Sequence, residues 1–449
     1  MNAMPPRKSH PVLWVLAVIA LIAITVAGYY ALSPKPTDFA GGKRVALTAY
    51  AQADPTGVPA ELKAASIVTR GEYLTRAADC AACHTAQDGT PFAGGRAFVL
   101  PFGTIFSTNI TPDVETGIGS YSDLNFLNTV HKGIGRSGAR LYPAMPYASY
   151  TYMTDADALA IKAYLFTLKP EHAPTPANTL TFPFNRRGLM SLWSAFFNPD
   201  KRFRPNSGRS PEWNRGAYLA EAMEHCGECH TPRNLAFALD NRHKFAGAVQ
   251  AGWRAYNITP DHASGVGAWT DADLAKYLSA GHADGRGTAS GPMGEAVDES
   301  LSHLTPSDIG ALVAYVRTVP SIAAADLPAP RLDPAPMLSA DTTAESRGKS
   351  MYEGACAGCH GWTGVSPVIP LATLTGTRGV NDATANNVAQ VIIGGGQRHY
   401  HRDSDNMPPF GSTYSDAEIA SVANYVTARF GSKGSNLTAA EVAKLRSQN

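Results

Sequence analysis

No cysteine of this 449-residue chain lies outside three short stretches: "DCAACHT" (79–85), "HCGECHT" (225–231) and "ACAGCHG" (355–361). The six are Cys80, Cys83, Cys226, Cys229, Cys356 and Cys359, so none remains for the scattered disulfides that hold small secreted domains together. A surplus of charge is equally absent, with 38 Lys and Arg against 37 Asp and Glu. That balance excludes nucleic acid as a general partner, because no basic excess exists to neutralise phosphates. A local cluster such as "RPNSGR" (204–209) reads as solvated linker. Alternating apolar and polar runs that would mark strands are scarce. What is present is an ordinary hydrophobic content of 44% and a length that suggests roughly three domains of about 150 residues each.

One long apolar run stands at the N-terminus, "MNAMPPRKSHPVLWVLAVIALIAITVAGYYALSPKP", where Lys8 is the last charge before Lys35. As a helix rising 1.5 Å per residue, Pro11 to Leu32 matches a hydrocarbon core of about 30 Å. Arg7 and Lys8 then stay cytoplasmic and everything after residue 35 crosses the membrane. Trp14 and the Tyr29–Tyr30 pair suit the two interfaces. The competing reading is a cleaved signal peptide, for which "TVAG" (25–28) is a poor cutting site. The expectation is a retained anchor over 1–35.

Aligned on the three cysteine stretches, the chain repeats at domain size. Each stretch is preceded by Arg-Gly (Arg70-Gly71, Arg215-Gly216, Arg347-Gly348) and a short helical pattern carrying Tyr73, Tyr218 or Tyr352. Each is followed by a capping box, Thr154…Asp157, Thr305…Asp308 or Ser415…Glu418, opening an amphipathic run with Tyr164, Tyr315 or Tyr425. Units one and two share "NITPD" loops (109–113 and 257–261) and "FAGG"/"FAGA" (92–95, 245–248), which unit three lacks. The predicted fold class is all-α: three tandem helical domains, 63–170, 208–319 and 344–432, after an N-terminal transmembrane helix. Between them lie an aromatic bridge (171–207), which either packs between domains or docks a partner, and a Pro/Ala-rich, extended linker (320–343). A tail, 433–449, closes the chain.

Cys-x-x-Cys-His is the attachment signature of c-type haem. Cysteines at i and i+3 face one side of a helical turn, where both sulfurs reach the vinyl groups of one porphyrin edge. The next residue, His84, His230 or His360, projects toward the iron. A zinc knuckle needs four ligands close together and would orphan one of three pairs. A thioredoxin-like pair needs a β-α-β setting that is absent. The cofactor expected is three covalently bound haem c.

The sixth iron position decides the role, since methionine gives a closed, high-potential carrier. Each unit offers one in a Pro-rich loop before the capped helix: Met145 in "YPAMPYASY", Met293 in "TASGPMGEAV" and Met407 in "SDNMPPFGS". Met153 reads as a packing residue before its cap, Met223 sits too near its own histidine to reach the far face, and Met190, Met337 and Met351 read as packing or linker. His225 beside Cys226 has no assigned role, and His399 and His401 raise a less favoured bis-histidine option in unit three. In the "NITPD" loops a plain turn role competes with donation to haem propionates, for which Asn109, Tyr121, Asn257 and Trp269 are candidates.

With these sites and the N-terminal segment together, "GEYLTRAADCAACHT", "FSTNITPDVETGIGSYS", "LYPAMPY" and "NMPPFG" make the chain resemble the tri-haem cytochrome c subunits of membrane-bound dehydrogenases of acetic acid bacteria and their relatives. The resemblance covers nearly the whole chain and implies three tandem cytochrome c-type domains in the periplasm, anchored in the cell inner membrane. It also implies that the chain does not catalyse on its own but takes electrons from a catalytic dehydrogenase subunit to membrane ubiquinone. The axial pairs it implies are His84 with Met145, His230 with Met293 and His360 with Met407. Catalytic partners in the family are of PQQ, flavin or molybdenum type. The retained N-terminus leans toward the aldehyde dehydrogenase branch, with alcohol dehydrogenase beside it. The cytochrome subunit of a terminal oxidase and a multi-haem peroxidase are the competing readings.

Overall fold

A computed structural model describes residues 11–32, 59–198, 200–337, 347–396 and 406–448. Helix Pro11–Leu32 carries no acidic residue in its first turn and no basic residue in its last. Its described side chains from Trp14 to Thr25 are exposed. Among the described residues no helix is long and apolar enough to cross a membrane. Arg7, Lys8 and the side chains of Tyr29 and Tyr30 lie outside the described residues.

In each unit a first helix (Ile67–Ala77, Pro211–Tyr218, Arg347–Ala355) crosses a capped helix (Asp155–Leu165, Pro306–Val316, Asp416–Phe430). The Arg-Gly signature is the crossing point. A Cβ on Gly71 would sit 2.0 Å from the Ala160 carbonyl oxygen, on Gly216 1.9 Å from that of Ala311, and on Gly348 2.1 Å from that of Ser421. The helices therefore touch backbone to backbone, and only glycine permits it. Gly216→Ala is expected to lower unit two's stability by about 3 kcal/mol, the upper end of ordinary overpacking costs, read as a shift of its denaturant midpoint. Gly354→Ala, with nothing within 4 Å of the added carbon, is the matched control and should be neutral or slightly stabilising.

The capping boxes divide the units. Thr154, Thr305 and Ser415 each accept from the backbone N–H three residues on. Only Ser415…Glu418 among these three closes reciprocally. Asp157 and Asp308 turn outward instead. Asp157 receives Arg70 at 2.5 Å and Tyr218 at 2.6 Å, the tyrosine coming from unit two. Asp308 receives Arg215 at 2.8 Å and Tyr73 at 2.5 Å, this tyrosine coming from unit one. The exchange is reciprocal, so units one and two are joined about a local pseudo-two-fold and share one continuous core that includes Leu74, Tyr218, Leu219 and Leu312. Unit three has its own core. Tyr352 does not correspond to Tyr73 and Tyr218: it lies four residues beyond its glycine rather than two, and its hydroxyl donates inward to the Gly361 carbonyl. Arg347 and Glu418 meet at 2.6 Å on the surface.

The fold is mostly helical rather than all-α. Among the described residues three short antiparallel hairpins interrupt it: Ala97–Leu100 with Gly103–Phe106, Ala248–Gln250 with Trp253–Ala255, and His282–Ala283 with Gly287–Thr288. Two to four residues per strand are too few for a period-two signal to emerge. The described part of the second linker is extended but packed, with Leu327 and Ala335 buried and Ala335 N–H bonded to the Thr363 carbonyl at 2.9 Å. The tail is not loose: helix Ala439–Arg446, with its own capping box at Thr438, buries Val442 and Leu445 on unit three. Unit three leans on the second hairpin, where Arg254 meets Asp382 at 3.3 Å and its backbone exchanges two bonds with Asn387.

The aromatic bridge packs between domains. Phe184 stacks on Phe102 with centroids 3.9 Å apart, and Trp193 donates to the Ala236 carbonyl, tying units one and two together. The opposite side of helix Leu189–Phe197 leaves Leu192 and Phe196 exposed, the latter by 74%.

His131, near the end of helix Asp123–Lys132, is wholly buried, with both ring nitrogens lacking a hydrogen-bond partner and Nδ1 3.6 Å from Asp155. Burial, reinforced by Arg202 and Lys132 and opposed by Asp155 and Asp200, depresses its pKa from 6.5 to about 4. The unfolded chain therefore takes the proton first as pH falls. Stability is full above about 6.5 and declines through about 4, by roughly 3 kcal/mol at 1.36 kcal/mol per unit. His131→Leu should flatten that slope in urea unfolding between pH 7 and 4.

Candidate haem sites

Each cysteine stretch forms one short helical turn, Cys80–His84, Gly227–His230 or Ala357–His360, which places the paired sulfurs on one side. Asp79 (φ 50°) and His225 (φ 38°), the residues before the first cysteines, are both left-handed and break the preceding helix so that the turn can start afresh. That is the role left unassigned to His225 above. The first cysteines pack at the edge of the cores, Cys80 and Cys226 on the shared one and Cys356 on that of unit three.

The three histidines are held alike. Nδ1 of His84 meets the Thr108 carbonyl, that of His230 the Tyr256 carbonyl and that of His360 the Ala372 carbonyl, each at 2.6 Å. A carbonyl only accepts, so Nδ1 carries the hydrogen in every case and Nε2 keeps its lone pair. Burial lowers all three imidazole pKa values, which keeps the rings neutral. A neutral imidazole fixed by a carbonyl at Nδ1 is the form that ligates a metal.

Burial pushes the Cys83 thiol up to about 12 and those of Cys229 and Cys356 up to about 11. These are not the acidified thiols of a redox motif. Among the described residues no three His, Cys, Asp or Glu side chains converge as a metal-binding group. The donor set thus fits thioether attachment with one nitrogen ligand from each histidine, and fits neither tetrahedral zinc nor disulfide exchange.

The shared loops explain how the carbonyls are presented. Asn109 Oδ1 accepts from Thr111 N–H at 2.8 Å, while its amide donates to Thr116 and to the Glu171 carbonyl. Asn257 repeats this with Thr259, Ser264 and the Ile322 carbonyl. Each asparagine amide thus donates once within its own loop region and once to a distant carbonyl, Glu171 or Ile322. Their work is to hold the neighbouring Thr108 and Tyr256 carbonyls against the imidazoles. Tyr121 is buried near Arg136 and Thr129. Trp269 lies edge-on to Tyr277 and under Arg286, whose guanidinium is 5.6 Å from the ring centre. The "FAGG" and "FAGA" stretches also have a role: Gly94 and Gly247 adopt φ of 74° and 94° and donate to the carbonyls of His84 and His230.

Met145 and Met293 pack half-buried against the shared core, and Met407 against that of unit three. Met145 lies in a loop just before helix Tyr147–Tyr150, and Met407 in an extended stretch whose carbonyl accepts from Gly396 N–H at 2.9 Å. Met293 is not in a loop: it is the third residue of helix Gly291–Glu299, with Pro292 in the first turn, where proline is compatible with helix. Met153 and Met223 are core residues, 1% and 0% exposed. His399 and His401 lie outside the described residues.

No local sequence signal hints that the cofactor helices of units one and two touch. Ser149, in the helix after Met145, donates to Glu228, which stands between Cys226 and Cys229, at 2.6 Å. Glu295, in the helix of Met293, pairs with Arg96 at 2.9 Å, and Arg96 also reaches the Ala82 carbonyl between Cys80 and Cys83. Each unit's methionine helix thus rests on the other unit's cysteine helix.

Comparison with known proteins agrees with this architecture. Residues 68–169 match the "Cytochrome c" family model, and residues 343–426 the model described as cytochrome C oxidase, cbb3-type, subunit III. The chain is 38% identical over 410 residues to the fructose dehydrogenase cytochrome subunit of Gluconobacter japonicus, covering 84% of this chain and 82% of that one. It is 35% identical over 396 residues to the cytochrome c subunit of the alcohol dehydrogenase (quinone) of Gluconacetobacter polyoxogenes, covering 85% and 84%. A nicotinate dehydrogenase subunit of Pseudomonas putida is 39% identical over 376 residues, which are 82% of this chain but only 30% of that longer protein. These matches, spread over all three units and carrying haem c domains, establish that the chain belongs to the family of cytochrome c electron-transfer subunits of dehydrogenases.

Proposed function

We propose that the chain is a tri-haem electron conduit, held at the inner membrane through its N-terminal segment 1–35 with its domains in the periplasm, that passes electrons from a catalytic dehydrogenase subunit to ubiquinone. The observation that carries it is the threefold recurrence of one arrangement: a cysteine pair on a helical turn, and an imidazole whose Nδ1 is bound by a carbonyl at 2.6 Å. Haem c, when bound, supplies reversible one-electron chemistry at iron. Cys80/Cys83, Cys226/Cys229 and Cys356/Cys359 would attach it. His84, His230 and His360 would hold the iron through Nε2, and Met145, Met293 and Met407 from the other face. Tyr121 and Trp269, with Arg136 and Arg286 nearby, are candidates to face propionates. A methionine offered beside each histidine would give a closed carrier rather than a site open to peroxide, which speaks against a peroxidase.

The partner's class is supported by the relatives, whose names include a quinone alcohol dehydrogenase and a fructose dehydrogenase. An alcohol or aldehyde is the substrate class we assign to that partner, whose cofactor is PQQ, molybdenum or flavin. The terminal-oxidase reading draws on unit three alone, through the match over residues 343–426. The test is to purify the chain from membranes with whatever it holds. Pyridine haemochrome should give three haem c per chain, two in Cys226→Ala/Cys229→Ala, and a large dehydrogenase subunit should copurify. Fewer than three in the unaltered protein, or copurification with an oxidase, overturns the proposal.

A further inference from the structure

We propose that unit two completes the histidine site of unit three: Thr288, on the hairpin His282–Thr288, is a positioning residue for His360 across the domain boundary. This rests on His360 as the ligand of the third haem, proposed above. In units one and two the carbonyl that meets the imidazole, Thr108 or Tyr256, is followed by an asparagine whose amide reaches a distant carbonyl, Glu171 or Ile322. Unit three lacks that loop. Its carbonyl belongs to Ala372, the last residue of the single turn Pro370–Ala372. The next residue is Thr373, whose hydroxyl accepts from Ser366 N–H at 3.2 Å within the same stretch. The distant support comes from unit two instead. Thr288 Oγ1 donates to the Leu371 carbonyl at 3.0 Å, in the middle of that turn and one peptide before the carbonyl that His360 uses.

The hairpin holds that hydroxyl in place. A carbonyl only accepts, so the Thr288 hydrogen points at Leu371, and in the 2.8 Å contact with His282 Nδ1 the ring donates and the hydroxyl oxygen accepts. His282 is buried, and its Nε2 meets Asp284 at 3.1 Å. The backbone of unit three lies directly against the hairpin: a Cβ on Gly376 would stand 2.2 Å from the Gly285 carbonyl oxygen. The matching turn of unit one is closed by the same backbone bond, Leu141 N–H to Gly133 O at 2.7 Å, where unit two has Ala289 N–H to Gly281 O at 2.7 Å. That turn pairs Ile134 with Arg140 where unit two pairs His282 with Thr288, and Arg140 bonds the Lys132 carbonyl inside its own unit. The polar pair thus occurs in the copy of the turn that unit three touches. Met293 follows in the next helix, Gly291–Glu299. One stretch of unit two therefore carries the sixth ligand assigned to the second haem and braces the fifth ligand assigned to the third. A carbonyl held firmly at Nδ1 makes the imidazole a stronger donor at Nε2.

The test is a spectroelectrochemical titration of the holo-protein in its purified complex, with haem content measured by pyridine haemochrome. Cys356→Ala/Cys359→Ala should remove one haem and so mark the wave of the third. Thr288→Val keeps the side-chain shape and loses the hydroxyl. The loosened Ala372 carbonyl then weakens the imidazole as a donor, which favours ferrous iron. At its original midpoint the third haem should gain about three-fold in ferrous-to-ferric ratio, the low end of what one hydrogen bond contributes. That is a rise of about 30 mV, at about 59 mV per ten-fold for one electron. Thr288→Ser keeps the donor and should leave the midpoint in place, and the first haem should not move in either variant. Thr288→Val leaves the buried His282 donor unpaired, so His282→Ile/Thr288→Val, which removes both groups, is the companion that reports if the single variant does not fold, and it should show the same rise. A third midpoint unmoved in the valine variants, moved equally in Thr288→Ser, or moved together with the first overturns the role of Thr288 alone. If Cys356→Ala/Cys359→Ala retains three haems, the haem reading of unit three falls with it.

Discussion

Asp308→Ala will remove about 3–5 kcal/mol from the stability of the first two units, far more than its position at the start of an ordinary helix suggests. The residue is 1% exposed and holds Arg215, itself 7% exposed, through two bonds at 2.9 and 2.8 Å. Deleting it leaves a buried guanidinium without the carboxylate that faces it. It also strips the acceptor from Tyr73 of unit one, so the loss is felt in both units together. Asp157→Ala repeats the experiment on the other side of the pseudo-two-fold, through Arg70 and Tyr218. Arg347→Ala, in the exposed equivalent of unit three, should cost little, because a solvated pair is screened. Denaturant unfolding, with the units followed separately by haem absorbance and by tyrosine fluorescence, would separate these outcomes. Equal losses from Asp308→Ala and Arg347→Ala would mean that the buried pairs do not join the units.

The same clamp fixes an alkaline limit. Burial, and after it the carboxylate alongside, raises the pKa of Tyr73 and Tyr218 well above 10. A group raised in the folded state lends stability that is complete below its unfolded value, about 10, and is lost as pH climbs through the folded one. Units one and two should therefore loosen from each other above pH 10, and Tyr73→Phe with Tyr218→Phe should weaken that dependence, the remainder coming from other buried tyrosines such as Tyr150, while lowering stability at neutral pH.

Much of this molecule is legible in its sequence because the relevant signals are local. Cys-x-x-Cys-His, the Thr and Ser caps and the Arg-Gly pairs are each decided within a turn or two of chain, and each sits on the element expected. The three glycines at the helix crossings are legible as a repeat even where their cause, a carbonyl about 2 Å from the missing Cβ, is not. What is illegible depends on distant residues. Asp157 and Asp308 look like capping partners in sequence, and the tyrosines that claim them lie 61 and 235 positions away. Tyr352 looks like a third member of that set because an aromatic at a similar place satisfies the pattern, although the offset of two residues turns it to another face of the helix. The asparagines of "NITPD" suit either propionates or turns, and the distant carbonyls they reach, Glu171 and Ile322, are invisible in the local pattern. Met293 reads as a loop residue beside proline, yet proline in a first helical turn is no obstacle to a helix.

That helical setting sharpens the second large expectation. Met293→His should lower the midpoint potential of one haem by a few tenths of a volt, within the roughly 0.8 V that axial ligands span, because nitrogen ligation favours ferric iron over ferrous. The substitution suits the site. Position 293 lies in the first turn of helix Gly291–Glu299, where the positive end of the helix dipole disfavours an imidazolium and keeps the new ring neutral and able to ligate. The haems assigned to Met145 and Met407 should keep their potentials, since Met145 lies in a loop of unit one and Met407 packs against the core of unit three. Met153→Leu and Met223→Leu serve as controls: both side chains are enclosed in the core, and volume-conserving swaps there should leave all three potentials in place. A spectroelectrochemical titration resolves the cases. Three unmoved potentials in Met293→His, or a shifted one in Met223→Leu, would remove Met293 from the ligand set and reopen the sixth position of the second haem.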